Sequence, residues 1–90
     1  MLTWEYSDRF RQHYLLLKGE QIAMVDDGAP GWFRVIVNRQ QYMGKLTMGR
    51  SPTIAHGKKM AERWARANMP RIERELAERI ARWPGSRPQT

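Results

Sequence analysis

GAPGWFRVIVNRQQYMGKLTMGRSPTIAHGKKMAERWARANM, residues 28–69, decides the fold. From Trp32 to Val37 the side chains alternate. Phe33, Val35 and Val37 fall on one side and Trp32, Arg34 and Ile36 on the other, the period of a strand. Asn38-Arg39-Gln40 reads as a tight turn, because asparagine tolerates a positive φ. The next strand, Gln41 to Met48, puts Tyr42, Leu46 and Met48 on one side and Gln41, Met43, Lys45 and Thr47 on the other. Joined as a hairpin, the two strands give a core face of Phe33, Val35, Val37, Tyr42, Leu46 and Met48. Their opposite face shows Trp32, Arg34, Lys45 and Thr47 and is partly solvated, since the reverse assignment would bury Arg34 and Lys45 unpaired.

A helix follows, with Ser51 as its expected cap and Pro52 at its first position. Over about Thr53 to Asn68, the residues Ile54, Ala61, Trp64 and Ala65 form one stripe. Gly57 lies on the same side and permits close approach to the sheet. Lys58, Lys59, Arg63 and Arg66 cover much of the remainder. Pro70 ends this helix, because Met69 is pushed away from helical backbone angles. A second helix, about Arg71 to Trp83, repeats Ile72, Leu76, Ile80 and Trp83 along one side. Its other side carries Arg71/Glu75, Arg74/Glu78, Glu75/Arg79 and Glu78/Arg82 at i,i+4, each contributing about 0.2–0.5 kcal/mol. The apolar stripe has two readings: it covers the edge of the core, or it is a partner-binding seam for a homodimer.

Upstream, Trp4, Tyr6 and Phe10 settle on no single period, so a short strand competes with a helical turn capped by Ser7 or Asp8. His13–Lys18 and Glu20–Val25 read as strands around the Lys18-Gly19 turn. Asp26–Gly31 reads as a loop, rich in turn-forming residues. The expectation is an α+β domain: a three- to four-stranded antiparallel meander, then two C-terminal helices. Residues 1–83 form one compact domain and 84–90 a flexible tail.

Ninety residues fit a single core. A chain of this size buries only about 60% of its unfolded surface, so each large apolar side chain counts. The absence of cysteine excludes disulfides, thiolate metal sites and thiol nucleophiles. Tyr14–Leu17, the longest apolar run, is far short of the roughly 20 residues of a membrane span. The N-terminus has no signal-peptide pattern, and a cytoplasmic location is expected.

The formal net charge is +7, and its distribution is uneven. Residues 1–30 carry three basic and five acidic side chains; residues 31–60 carry six basic and none acidic. Residues 61–90 carry seven arginines against four glutamates. A central segment of one sign is the footprint of a polyanion binder, although basic patches also serve acidic protein partners.

Catalytic constellations are thin. His13 and His56 stand in no metal-ligand spacing, Asp26-Asp27 sits in turn-forming sequence, and neither Gly49-Arg50-Ser51-Pro52 nor His56-Gly57-Lys58-Lys59 has phosphate-loop spacing. Ser7, Ser51 and Ser86 lack a nucleophile elbow. No enzyme activity, cofactor or metal is expected. Binding is better supported. Trp32, Arg34 and Lys45, with Gln41, Met43 and Arg39 nearby, mix cations for phosphates with an aromatic for stacking. A narrow ribbon also fits a major groove. Arg50, Lys58 and Lys59, near a positive helix end, form a second candidate for phosphate.

Gly31-Trp-Phe-Arg-Val-Ile-Val, then Tyr42-Met-Gly-Lys-Leu, then Lys58-Lys-Met-Ala-Glu-Arg-Trp64 resembles the AP2-type DNA-binding domains at the front of phage integrases. That family presents basic residues from a three-stranded sheet to the major groove and backs the sheet with a helix. Lys58-Lys59-Met60-Ala61 also resembles the helix start of double-stranded-RNA-binding domains. Both likenesses cover about 40 residues. The chain departs from the first family by its second helix and from the second in Pro52-Thr-Ile-Ala, which displaces the lysine pair along the helix. In size, basicity and Trp-rich pattern it is similar to small phage and prophage accessory proteins, which bind nucleic acid or disable a host protein. The resulting expectation is non-catalytic nucleic-acid binding, DNA ahead of RNA, through Trp32, Arg34, Lys45, Arg50, Lys58 and Lys59. The alternative is a phage-encoded inhibitor of a host protein, such as a CRISPR surveillance complex or RNA polymerase, anchored by Trp83 or Trp32.

Overall fold

A computed structural model of the chain describes residues 1–27, 31–40 and 47–82. Within them lie β1 (Leu2–Ser7), β2 (Gln12–Leu17), β3 (Glu20–Asp27), β4 (Phe33–Val37), β5 (Thr47–Ser51), α1 (Ile54–Ala67) and α2 (Met69–Arg82). The strands form one antiparallel sheet in the order β1-β2-β3-β4-β5. The α+β class and the meander agree with the sequence; the strand count is five, not three or four.

The fifth strand comes from the N-terminus. Leu2, Trp4 and Tyr6 alternate toward the helix side opposite Leu17, Leu15 and His13. Phe10 belongs to the turn beyond them; of the two alternatives for this stretch the strand is found, and the residues after Ser7 form the reversal into β2. The next reversal is tight: Lys18 and Gly19 both have positive φ, 53° and 79°, the backbone that a two-residue hairpin turn requires. Between β2 and β3 the register shifts, with Leu15 opposite Ala23 but Leu16 opposite Gln21. Ile22 is the extra residue of this bulge, and it is fully buried.

Asp26, expected in a loop, lies inside β3 opposite Arg34. β4 follows the expected alternation, with Val35 and Val37 in the core cluster and Phe33 packed against it. β5 does not. The expected strand Gln41–Met48 lies mostly outside the described residues, and the described part has the opposite phase. Thr47, Gly49 and Ser51 stand opposite Val37, Val35 and Phe33 on the helix side. Met48 pairs with Ile36 on the other face and is 64% exposed. At the end of β5 the approach of α1 is close: a Cβ on Gly57 would come within 3.1 Å of Val25, 3.2 Å of Val35 and 3.4 Å of Ser51, which suits a small side chain at Ser51.

The helix cap also moves. Thr53, with extended backbone, accepts from the His56 N–H through Oγ1 at 3.0 Å. Ser51 remains in β5, donating through its hydroxyl to the Thr53 carbonyl at 2.6 Å. Gly57, Ala61 and Ala65 form the buried stripe of α1, as their spacing implies. Asn68 closes α1 by donating its backbone N–H to Trp64 and Ala65. Its carbonyl in turn accepts from the Ile72 N–H at 3.0 Å, so one residue joins the two helices. Pro70 sits in the first turn of α2, where a missing N–H costs nothing.

Ile72 and Leu76 are buried with Leu15, Leu17 and Ala23. Each such side chain contributes about 1.5–3 kcal/mol of transfer free energy. They therefore cover this chain's own core, and the dimer-seam reading loses both residues. Ile80 is half-buried, and Trp83 lies outside the described residues, as does the expected tail. Among the described residues, no helix is long and apolar enough to cross a membrane.

Candidate nucleic-acid interface

α1 covers one face of the sheet, so residues of the other parity point to an outer face. One row of that face crosses all five strands. Ser7 is opposite Gln12, Gln12 opposite Asp26, Asp26 opposite Arg34, and Arg34 opposite Arg50. Strand spacing of about 4.8 Å makes this row roughly 19 Å long.

Arg34 is held along the row. Its Nε donates to Asp26 Oδ1 at 2.9 Å and its Nη2 to Asp26 Oδ2 at 2.6 Å. Gln12 Nε2 also donates to Asp26 Oδ2, at 3.2 Å, and the Tyr14 hydroxyl donates to Gln12 Oε1. The Asp26 side chain is 7% exposed and that of Arg34 is 36% exposed. Hydrogen bonding to Asp26 raises the Arg34 guanidinium above its ordinary value; burial opposes this and the Asp26 charge adds to it. A guanidinium has five N–H donors, and this clamp occupies one on Nε and one on Nη2. Arg34 is thus charged, fixed in orientation and still in contact with water.

Arg50 is held differently. Its guanidinium lies 4.7 Å from the centroid of the Trp32 ring, a cation–π contact at the β4–β5 end of the row. Trp32 is half-buried there. Elsewhere on the outer face Met24 and Ile36 are buried, and Arg39 Nη1 lies 3.4 Å from the Met24 sulfur. Glu5 stands on the same face at the β1 edge, opposite Tyr14, so the cationic character belongs to the β4–β5 end.

Of the residues expected to bind nucleic acid, Trp32, Arg34 and Arg50 come together here. Lys45 lies outside the described residues. Lys58 and Lys59 belong to α1, on the other side of the sheet. Lys58 Nζ lies 5.2 Å from the Trp4 ring centroid, while the Trp4 indole donates to Glu62 Oε2 at 2.7 Å. The second candidate, Arg50 with Lys58 and Lys59 at the helix start, is therefore not assembled: Arg50 faces away from α1, and Lys58 reaches toward the opposite sheet edge. His56 is an exposed helix position.

The residues that sequence reasoning missed are Asp26, Gln12 and Tyr14. Their signal was register, since only the β2–β3–β4 pairing brings them beside Arg34. At the other end of the sheet, a concavity of about 250 Å³ is lined by Glu5, Leu16, Glu20, Gln21, Arg39 and Arg79. Among the described residues, no group of three or more His, Asp or Glu side chains gathers as a metal site would. Comparison with protein-family models, with curated proteins and with solved structures returns no match.

Proposed function

We propose that this chain is a non-catalytic nucleic-acid-binding domain that meets its ligand with the β4–β5 end of the outer sheet face. The observation that carries this reading is the direct opposition of Arg34 and Arg50. Like charges facing across a strand pair repel. Here each is held in place by a separate device, Asp26 for Arg34 and Trp32 for Arg50. Asp26 already offsets part of the Arg34 charge, and an anion seated between the two guanidiniums relieves the repulsion that remains; successive phosphates supply such anions. Residues 31–60 add support by containing no acidic side chain. Duplex DNA is the first ligand to test, since a ribbon of adjacent strands with clamped arginine donors suits a groove.

The test is polarisation of a labelled duplex at about 50 and 200 mM salt, where phosphate contacts give a steep dependence. Arg50→Glu is expected to lower affinity tenfold or more at low salt and to flatten the slope. Lys58→Glu/Lys59→Glu, reversed on the helix side, is expected to cost much less. Unchanged affinity in Arg50→Glu contradicts the reading. Binding lost only in the lysine double variant moves the interface to α1. A pull-down that retains one protein after nuclease treatment points instead to a protein partner.

A further inference from the structure

We infer that the β1–β2 tip, Arg9-Phe10-Arg11, is a second contact element for the same ligand, with Phe10 as a base-stacking side chain. This rests on the reading above and extends it to residues on which the sheet face itself does not depend.

Phe10 is 60% exposed, an unusual place for a large apolar ring in a chain so short of core. It is outside the hydrophobic cluster, and its backbone N–H is bonded to Ser7 Oγ at 3.4 Å, so the turn is held without its side chain. Turn apices favour Asp, Asn, Ser and Gly for backbone reasons, none of which applies to phenylalanine. Arg9 and Arg11 flank it, both exposed, against one acid in the turn, Asp8. Arg11 has φ 54°, in the left-handed region where glycine or asparagine fits more easily.

Register supplies the connection. Ser7 and Gln12, which flank the tip, are the first two members of the row that continues through Asp26 to Arg34 and Arg50. The tip therefore projects from the same end of the sheet as the two clamped arginines. The two flanks of that end are built alike. The Arg9 guanidinium lies 5.3 Å from the Phe10 centroid at one, and the Arg50 guanidinium 4.7 Å from the Trp32 centroid at the other. An arginine on one side of an aromatic ring leaves the opposite side for an incoming base, while its charge meets the adjoining phosphate. A row of about 19 Å between the flanks is long enough for several successive nucleotides. The ligand class is nucleic acid with an unstacked base, either a single strand or a duplex step opened by an apolar wedge.

The experiment compares wild type with Phe10→Ala, Phe10→Trp and Arg9→Gln/Arg11→Asn, with Arg50→Glu as the control on the sheet face. The probes are a short labelled single strand and its duplex. Thermal melting is expected to be unchanged for the Phe10 variants, which do not touch the core, and unchanged or slightly raised for the double arginine variant, since asparagine suits the Arg11 backbone better. Phe10→Ala is expected to weaken binding about tenfold, the effect of losing one stacked base, and Phe10→Trp to retain it. The double arginine variant is expected to reduce the salt slope by about 1.5–2, in keeping with two lost phosphate contacts. If Phe10→Ala binds as wild type while Arg50→Glu does not, the tip inference fails and the sheet-face reading stands. If wild type binds neither probe, the sheet-face reading fails and the tip goes with it.

Discussion

The two ends of the sheet hold most of their basic side chains by different means. Where the β2–β3 turn and the exit of β4 meet α2, cations are matched to carboxylates. Arg71 bonds Glu75 at 3.0 Å and reaches Asn38 at 3.1 Å, Lys18 lies 3.6 Å from Glu73, and Arg79 lies 4.0 Å from the buried Glu20. Gln40, fully buried, donates to the same Glu75 at 2.7 Å. At the other end, Arg9 and Arg50 lie on aromatic rings, while Arg34 is matched to a carboxylate much as Arg71 is, so the contrast rests on Arg9 and Arg50. A guanidinium matched to a carboxylate has most of its electrostatic work done inside the fold. One resting on a ring keeps its N–H edges for a ligand. The formal charge of the chain is thus a poor guide to its available charge: among the described residues, Arg9 and Arg50 at one end have no carboxylate beside them, and neither do the exposed Lys59, Arg63 and Arg74 on the helices.

The largest effect that tests this contrast is expected at the α2 end. Ile72→Ala removes a fully buried side chain and is expected to cost about 2–5 kcal/mol in urea unfolding. The fraction that remains folded is expected to bind nucleic acid as wild type does. Loss of affinity per folded molecule places part of the interface on α2 and breaks the contrast.

A smaller effect is expected at Arg34, where fold and site share one residue. Arg34→Ala leaves Asp26 buried with Gln12 as its remaining described partner and is expected to destabilise by about 1–3 kcal/mol. Adding Asp26→Ala is expected to recover part of that loss, because the uncompensated carboxylate is then gone. Strict additivity in this double-mutant cycle means that the pair is not a working clamp. The sign of the pH dependence follows from the raised Arg34 value. A raised basic group stabilises the fold fully below its unfolded value and loses that contribution only as pH rises through the folded one. The guanidinium side of the clamp is therefore constant across neutral pH.

The smallest stability effects sharpen the contrast most. Arg50→Ala is expected to change stability by about 1 kcal/mol or less, the range of exposed cation–π contacts, and Arg71→Ala, which loses partly buried bonds to Glu75 and Asn38, by about 1–2 kcal/mol. Only Arg50→Ala is expected to lower affinity for a labelled duplex. Equal affinities for the two variants remove any special status from the β4–β5 end.

The sequence made some of this legible and concealed the rest for identifiable reasons. The α1 stripe of Gly57, Ala61 and Ala65 and the alternation of β4 were readable, because in each the burial pattern follows the period of the element; the helix break falls two residues earlier than Pro70 suggests, since α1 closes at Asn68 and Met69 and Pro70 already belong to α2. β5 was not. Its oily residue, Met48, stands on the outer face, while Thr47, Gly49 and Ser51 stand on the helix side, where only Ser51 lies hard against Gly57 of α1. A reading that sends the largest apolar residue to the core inverts such a strand. β1 was obscured by Phe10, whose place in the turn breaks the period set by Leu2, Trp4 and Tyr6. Within the candidate site, Trp32, Arg34 and Arg50 were visible as residue types, but their grouping apart from Lys58 and Lys59 depends on which face α1 takes. The Asp26 clamp depends on β3–β4 register, and β-sheet register is a long-range property that local pattern does not carry.

The central claim is that nucleic acid meets the end of the sheet bearing Arg34 and Arg50. Residue-resolved amide chemical-shift mapping, during titration of the full chain with a short duplex at low salt, reads this directly. Shifts concentrated at Arg9–Gln12, Trp32–Arg34 and Met48–Arg50, and fading as salt is added, are the expected result. Shifts concentrated at Lys58, Lys59 and Arg63 on α1, or along Arg71–Arg79 on α2, contradict the account.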